Sequence, residues 1–322
     1  MSRISASLRL FFVVSLLTAL VLLAGCASRP GRQVLRDADT AVELKQVPFF
    51  AQQEFQCGPA ALATVLQADD VAITPEQLVP EIYVPGRKGS LQAELLAATR
   101  RHGRIPYVLP PALAPVLAEL RAGRPVLVLQ NLGLRRWPLW HYAVLVGFDP
   151  GNESFLLRSG EKSRLQVSAR AFLASWERGD HWAMVVTSPS TLPASADATR
   201  WLQAVAPFES TGRFAEASAG YEVATTRWPH DAAAWTALGN VRYRQQRMSD
   251  AEQAWREAIR HASTSTAGWV ARNNLAELLL DRHCPQQAQA LLDEAGTPPP
   301  SLVAPLAATR QRIAEAGNAD CH

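Results

Sequence analysis

The stretch that decides the fold is residues 52–66, which read Gln-Gln-Glu-Phe-Gln-Cys-Gly-Pro-Ala-Ala-Leu-Ala-Thr-Val-Leu. A polar approach ends at Cys57, and apolar residues then recur at helical spacing as far as Leu66. The glycine and proline after the cysteine suit a first helical turn, which predicts a helix over residues 57–67. A thiol there faces unpaired N–H groups and the helix dipole, which lower a cysteine pKa. Cys57 is therefore a candidate nucleophile; the alternative is a small buried hydrophobe.

The chain begins with a segment typical of export. Two arginines precede an apolar run at residues 10–22, which is short for a membrane span, and Leu-Ala-Gly-Cys follows at residues 23–26. This tetrapeptide resembles a bacterial lipoprotein signal, which implies that Cys26 becomes the lipid-modified first residue and anchors the protein to a membrane. The alternative is an uncleaved anchor or an ordinary secretory signal. In the lipoproteins that this signal resembles, an aspartate after the lipid-modified cysteine indicates retention in the inner membrane. Ala27 at that position therefore favours an outer membrane lipoprotein that faces the periplasm.

Composition divides the chain into five parts. They are a signal peptide at 1–25, a polar tether at 26–41, a mixed α/β domain at 42–188, a linker at 189–199 and a helical domain at 200–322. Removal of the signal peptide takes away two arginines and no acid, so the formal net charge falls from +3 to +1. No basic patch or nucleic-acid motif stands out, and nucleic acid is not expected as a partner.

Three cysteines remain once Cys26 is assigned to the lipid. Cys284 and Cys321 could pair in an oxidising compartment and tie the C-terminal tail to the helical domain, which would leave Cys57 free to react. No cysteine pair has metal-ligand spacing and the seven histidines do not cluster, so neither a structural zinc nor a cofactor is expected.

The domain at 42–188 places helices before strands. Besides 57–67, helices are predicted from a Thr-Pro-Glu-Gln start at 74–77, over 90–103 and over 112–122, and strands over 125–130, 141–148, 154–159 and 182–187. Helices followed by antiparallel strands are typical of an α+β fold.

His141 is the second candidate for chemistry. It opens a strongly apolar strand, at a position where a sheet can present a side chain to a cleft. An imidazole beside a thiol at a helix start can accept the thiol proton and hold the thiolate as an ion pair. The alternative is a histidine at a strand edge with only a structural hydrogen bond.

Two motifs together resemble a known family. Gln-x-x-x-x-Cys-Gly-Pro-Ala-Ala-Leu-Ala at 52–63 and His-Tyr-Ala-Val-Leu-Val-Gly-Phe-Asp at 141–149 resemble the papain-like cysteine peptidases that form N-terminal domains of bacteriocin-processing ABC transporters. Members of that family remove double-glycine leader peptides. The resemblance covers residues 43–188 and implies a papain-like α+β fold that acts on a peptide or protein substrate.

The resemblance also implies roles for individual residues. Cys57 matches the nucleophile, His141 the general base and Gln52 the glutamine that donates to the oxyanion, with Gln53 as an alternate because the loop register is open. Structurally, either glutamine could instead be a solvated loop residue.

This sequence departs from the family's pattern at the acidic residue that orients the histidine. Asp149 begins the turn after the histidine strand, about 20 Å or more from His141 at roughly 3.3 Å per residue. In the predicted hairpin Ser159 is the nearest acceptor, with Glu161 next. A hydroxyl can fix the imidazole tautomer but adds no charge to stabilise imidazolium. Ser159 is therefore the candidate third site residue, and the base is expected to be weak or the Cys–His dyad to act alone.

Beyond the linker the sequence repeats. Trp201, Trp235 and Trp269 are each 34 residues apart, and small residues keep the same offset. This period resembles tetratricopeptide repeats and predicts paired helices, with the tryptophans as packing residues and a groove for a protein or peptide partner. The third unit lags the period by three residues around 283–285. A last helix is predicted over 302–316.

Two functions fit these observations. The first is a lipid-anchored periplasmic cysteine peptidase whose repeats recruit the substrate. The second is a non-catalytic adaptor that keeps the peptidase fold as a peptide-binding cleft. A reactive Cys57–His141 pair would separate them.

Overall fold

The computed structural model describes residues 30–52, 56–294, 296–317 and 321. The predicted signal peptide, Cys26 and Gln53 lie outside these residues. The described chain forms two compact units that do not follow chain order. The first contains residues 30–68, Ala72–Ser90 and Leu109–Met184, and the second contains Asp69–Val71, Leu91–Val108 and the chain from Val185 onward. The boundaries predicted at 188 and 199 stay a prediction.

Helices and short strands are interspersed as far as residue 121, four consecutive strands lie in residues 126–168, and after one more helix and strand the chain forms helices. The helices are α1 (Pro30–Arg36), α2 (Cys57–Gln67), α3 (Pro75–Ile82), α4 (Gln92–Arg101), α5 (Leu113–Arg121), α6 (Ala169–Glu177), α7 (Ala198–Ser210), α8 (Phe214–Arg227), α9 (Ala232–Arg244), α10 (Met248–His261), α11 (Thr266–Asp281), α12 (Pro285–Asp293) and α13 (Val303–Ala316). The strands are β1 (Val42–Glu43), β2 (Tyr83–Val84), β3 (Gly89–Ser90), β4 (Ile105–Val108), β5 (Val126–Asn131), β6 (Trp140–Asp149), β7 (Ser154–Ser159), β8 (Lys162–Ser168) and β9 (Ala183–Thr187).

An antiparallel sheet organises the first unit, with β6 at its centre. β6 pairs with β5 on one side and with β7 on the other, β8 follows β7, and β1 pairs with the far end of β6. The strand β9 pairs with β5 and runs into the second unit, where β4 lies beside it. The helix α2 packs against β6 and is buried from Gly58 to Leu66. The α+β papain-like fold followed by a helical region is confirmed.

Local signals explain the elements that were predicted. The helix α2 has the predicted bounds, and α3 begins with the predicted capping box of Thr74 and Gln77. The strand β8 and the helix α6 were not predicted. Only Leu165 and Val167 are apolar in β8, which has mostly exposed residues and is held by its pairing with β7.

The segment predicted as a tether differs from the prediction in part. Its helix α1 buries Leu35 completely, and both Arg32 and Arg36 bind the carboxylate of Glu153, at 2.5 Å and 2.7 Å. The polar composition indicated a solvated segment, but one apolar side chain and two ion pairs hold residues 30–36 on the first unit.

The helices of the second unit keep the predicted period. The helices α7, α9 and α11 begin at residues 198, 232 and 266, which are 34 apart, whereas α12 begins 37 residues after α10. Trp201 and Trp269 are buried, as expected of packing residues. The lag of three residues in the third pair is therefore confirmed, while the assignment to tetratricopeptide repeats stays a prediction.

Cys284 and Cys321 form a disulfide, with Cα atoms 4.6 Å apart. The predicted pairing is confirmed, and Cys57 is the free cysteine among the described residues. Within these residues, no helix is both long enough and apolar enough to span a membrane.

Candidate active site

The thiol of Cys57 lies at the first position of α2, where the chain leaves the polar approach. The next residue must be small, because a Cβ atom on Gly58 would lie 2.4 Å from Oγ of Ser90 and 2.6 Å from its Cβ. Glycine thus lets the start of α2 approach β3 closely. This contact helps to fix the half-buried position of the thiol.

Burial, the largest effect, raises the pKa of the Cys57 thiol. The backbone N–H groups of Tyr142, Gly58 and Cys57 itself act in the opposite direction, as the helix start predicted, but they do not outweigh the loss of water. The predicted lowering of the thiol pKa is therefore wrong for the resting site. The apolar spacing that predicted the helix did not indicate how deeply its first residue would be buried.

His141 is the second residue of β6, where it pairs with Gln130 of β5. Its Nε2 lies 2.8 Å from Oγ of Ser159 at the end of β7. Burial lowers the pKa of the imidazole. The lowered histidine pKa and the raised thiol pKa both favour the neutral forms of the two groups in the resting site.

Gln52 bridges the two strands that carry the histidine and the serine. The register of β6 and β7 runs only as far as Val144 opposite Arg158. Beyond this pair, the Gln52 backbone N–H donates to the carbonyl of Gly160 at 3.0 Å, and its Oε1 accepts from the Gly160 N–H at 3.0 Å. Its Nε2 donates to the carbonyl of Tyr142 at 3.3 Å. Gln52 is thus held between the strands and is not a solvated loop residue.

The backbone of Tyr142 links the nucleophile to the glutamine. Its N–H faces the sulfur of Cys57, and its carbonyl accepts from Gln52. The Tyr142 ring is buried and makes an edge contact with Trp182 at 5.9 Å between ring centres, which holds this part of β6. Sequence analysis did not identify Tyr142 as a site residue. Its only signal in the sequence is that it follows His141. The Tyr142 backbone must therefore lie close to the groups that surround the histidine.

The carboxylate that would orient the histidine is replaced by a hydroxyl. Asp149 lies at the other end of β6 and accepts from the backbone N–H and the side chain of Asn152, as expected of a turn residue. Glu161 is exposed. In the described chain, the imidazole of His141 bonds to Ser159 and to no carboxylate, and no hydrogen bond joins it to Cys57.

These side chains provide a thiol, an imidazole and an amide donor at one end of the sheet. Across the described ranges, no group of three or more histidine, cysteine, aspartate or glutamate side chains is arranged to hold a metal ion. A thiol and an imidazole are the residue types that nucleophilic attack by sulfur with proton transfer to a base requires.

The first unit has a papain-like α+β fold, and comparison with known proteins finds a family match to this part of the chain. Residues 44–184 match the model of the Peptidase_C39 like family. This match covers the first unit from residue 44 onward together with Asp69–Val71 and Leu91–Val108 of the second, and the helices from α7 onward lie outside it. No curated protein matches the chain.

Several solved structures are similar to this part of the chain. A C39-like peptidase from Bacillus anthracis is 20% identical, with a TM-score of 0.38 and coverage of 45% of this chain and 96% of that one. The double glycine motif protease of an AMS/PCAT transporter, solved with its leader peptide, is 22% identical, with a TM-score of 0.34 and coverage of 46% and 98%. The peptidase domain of Streptococcus ComA is 18% identical, with a TM-score of 0.37 and coverage of 44% and 99%.

Proposed function

We propose that the protein is a cysteine peptidase that hydrolyses a peptide bond through the Cys57 thiol, with His141 as general base. The observation that carries this proposal is the arrangement around Tyr142, whose backbone N–H faces Cys57 and whose carbonyl accepts from Gln52, next to His141. The match of residues 44–184 to a peptidase family supports it. A solvated thiol or a loose glutamine would not have supported it.

The reaction begins from a neutral pair. In the tautomer in which Nε2 of His141 carries the hydrogen and donates to Oγ of Ser159, the other ring nitrogen, Nδ1, accepts the proton. As the Cys57 sulfur bonds to the substrate carbonyl carbon, the thiol proton moves to Nδ1. Attack and proton transfer are therefore coupled, and the site does not need a preformed thiolate.

The oxyanion of the tetrahedral intermediate needs donors that are already in place. The backbone N–H of Cys57, at the start of α2, is one such donor. The side-chain amide of Gln52 is the second, because Nε2 carries two hydrogens and the Tyr142 carbonyl takes one of them. Gly160 holds the oxygen end of the amide, so the nitrogen end faces the site.

The intermediate collapses when the imidazolium gives its proton to the leaving amine and the C–N bond breaks, which leaves a thioester on Cys57. Water then attacks the thioester, and His141 takes the proton from that water. The Cys57 sulfur leaves as the C–S bond breaks and recovers the proton from His141. Protons and electrons balance without any cofactor.

We also propose that the peptidase is a lipoprotein that faces the periplasm from the outer membrane, with Cys26 as the lipid anchor. The lipoprotein-like tetrapeptide at residues 23–26 supports this, and the Cys284–Cys321 disulfide supports an oxidising compartment. The helical pairs, with their period of 34 residues, would act as tetratricopeptide repeats and recruit a protein or peptide substrate.

A non-catalytic adaptor is the second candidate function. The neutral thiol and the hydroxyl in place of a carboxylate favour it, because a binding cleft needs neither a thiolate nor an oriented base. Such a protein would bind a peptide at the same end of the sheet without cleaving it.

One experiment separates the two functions. The protein is incubated with a proteome-derived peptide library, and new termini are identified by mass spectrometry beside Cys57→Ala and His141→Ala. A peptidase produces new termini with the wild type and none with Cys57→Ala, and His141→Ala lowers the rate by about 10²–10⁴-fold. Peptides retained equally by wild type and Cys57→Ala, with no new termini, would establish the adaptor instead.

A further inference from the structure

The connection between β5 and β6 exposes an unusual amount of apolar surface. Of the seven large exposed hydrophobic side chains in the described part of the protein, five lie in residues 132–140, which we call the 132–140 hairpin. They are Leu132, Leu134, Trp137, Leu139 and Trp140, and Leu134 and Trp137 are 65% and 68% exposed. A cluster of this kind marks an interaction surface.

The hairpin is a built structure and not a loose loop. Leu132 donates to Leu139, and Leu134 and Trp137 exchange backbone hydrogen bonds. Oδ1 of Asn131 accepts from the N–H groups of Gly133 and Leu139 at 3.0 Å and 2.9 Å. Gly133 is required at this turn, because a Cβ atom there would lie 2.4 Å from the Trp137 carbonyl oxygen.

These hydrogen bonds indicate whether the hairpin is suited to bind a peptide or to enter lipid. Five of its backbone N–H groups are bound internally, those of Leu132, Gly133, Leu134, Trp137 and Leu139, and Pro138 has no N–H. A surface that captures a peptide by strand addition offers unpaired backbone N–H and C=O groups. A segment that enters lipid must instead satisfy its backbone groups with hydrogen bonds inside the protein. These five paired donors, on both sides of the turn at Arg135 and Arg136, fit the second type.

The charges of the hairpin point to the same occupant. Its polar side chains are Arg135 and Arg136, and the sequence contains no acidic residue between Glu119 and Asp149. The Arg136 guanidinium lies 5.4 Å from the centre of the Trp137 ring. Tryptophan and arginine together are typical of segments at a membrane interface, and arginine adds attraction to anionic headgroups.

We propose that the 132–140 hairpin docks on a lipid bilayer that contains anionic lipids, with Leu134 and Trp137 in the interfacial region and Arg135 and Arg136 at the headgroups. This surface is separate from any lipid at Cys26 and does not depend on the chemistry of Cys57. Since the hairpin ends at Trp140, directly before His141, docking holds the candidate site close to the membrane surface.

The test places one environment-sensitive fluorophore at residue 134 in the full-length protein. Leu134→Cys is labelled in a Cys26→Ser, Cys57→Ser background without reductant, so that the disulfide stays closed. The matched control is Val303→Cys in the same background, because Val303 is 53% exposed on α13. Both proteins are mixed with vesicles of phosphatidylglycerol and phosphatidylethanolamine, and with neutral phosphatidylcholine vesicles.

Docking predicts that the label at 134 shifts to the blue and is quenched by brominated lipid, while the label at 303 does neither. Replacement of both Arg135 and Arg136 by serine should weaken partition to the anionic vesicles by about five-fold for each arginine, with little effect on neutral vesicles. Trp137→Ser should weaken partition to both kinds of vesicle by about ten-fold or more.

Two results would overturn the proposal. In one, the label at 134 keeps its aqueous emission with every vesicle. In the other, it becomes buried only when a second copy of the chain or another protein is added, which makes the hairpin a protein-docking surface. Neither result bears on peptide cleavage, because Cys57 is absent from the labelled proteins.

Discussion

Nε2 of His141 lies 2.8 Å from Oγ of Ser159, so a hydroxyl holds the ring where a carboxylate would add charge. The hydroxyl can accept from Nε2 or donate to it, and it adds no charge that would stabilise imidazolium. A base held in this way is oriented but not strengthened. The consequences for activity can be tested by removing the Ser159 hydroxyl and by replacing it with a carboxylate.

Ser159→Ala should lower kcat by about five-fold, because one neutral hydrogen bond of about 1 kcal/mol is lost. Ser159→Asp should raise the pKa of His141, because the new carboxylate favours imidazolium. The measurement is an NMR titration of the His141 ring in each variant, together with kcat/KM against pH.

The matched control is Ser154→Ala at the other end of β7. Ser154 is also buried, and its Oγ accepts from Gln166 at 2.9 Å. This variant should lose a similar amount of stability without any change in the His141 titration. An unchanged His141 titration in Ser159→Asp would show that the two residues are not bonded in solution.

The pH dependence of activity should show one limb on the acid side. Since burial lowers the pKa of His141, the neutral base is present at pH 7, and kcat/KM should fall only as pH drops through a value below 6.5. Burial raises the pKa of Cys57, so iodoacetamide should alkylate this thiol only above the usual thiol range. Rates of both reactions against pH, with His141→Ala as control for the alkylation, provide the check.

The opposite behaviour would be informative. Rapid alkylation of Cys57 well below pH 7, which slows in His141→Ala, would mean that a thiolate–imidazolium pair exists in solution. The helix start at Cys57 would then outweigh its burial.

The elements around the site could be predicted where apolar spacing is local. The helix that begins at Cys57 and the strand over Ser154–Ser159 have the predicted bounds. Their buried residues lie close together in the sequence, so a local apolar pattern identifies them. The strand β8 has few apolar residues, and its pairing with β7 holds it in place. No local pattern in the sequence therefore predicts it. The helix α1 was missed for a related reason, since Leu35 is its one fully buried side chain.

The proximity of Ser159 to His141 was predicted, but the pKa of Cys57 and the position of Tyr142 were not. The hydrogen bond between His141 and Ser159 followed from counting residues across one hairpin, which is a local relationship. The pKa of Cys57 depends on how many distant segments cover it, and the sequence near the cysteine carries only the N–H groups that lower the pKa. The part played by Tyr142 depends on where β6 and β7 separate, which residue spacing does not reveal.

Gln52→Ala should lower kcat by about 10²–10³-fold with a smaller change in KM, because an oxyanion donor acts in the transition state. The matched control is Gln67→Ala at the end of α2, where Nε2 donates to the carbonyl of Ile73 at 3.0 Å. Both variants lose a structural hydrogen bond, but only Gln52→Ala should lose kcat. Steady-state kinetics with thermal melting of each variant makes the comparison.

Equal losses of kcat in Gln52→Ala and Gln67→Ala would contradict a special role for Gln52. A KM effect alone would instead assign Gln52 to substrate binding or to holding Gly160 in place.

The disulfide between Cys284 and Cys321 should stabilise the end of the helical region. It closes a loop of 37 residues around α12 and α13, and the loss of chain entropy in the unfolded state corresponds to about 3–4 kcal/mol. Cys321→Ser should therefore lower the free energy of unfolding of this region by up to that amount and increase hydrogen exchange in α12 and α13. The first unit should keep its exchange rates, and Cys57→Ser, which breaks no disulfide, should change neither region. Equal exchange in wild type and Cys321→Ser would mean that the packing of Leu292 and Ile313 holds the two helices without the covalent bond.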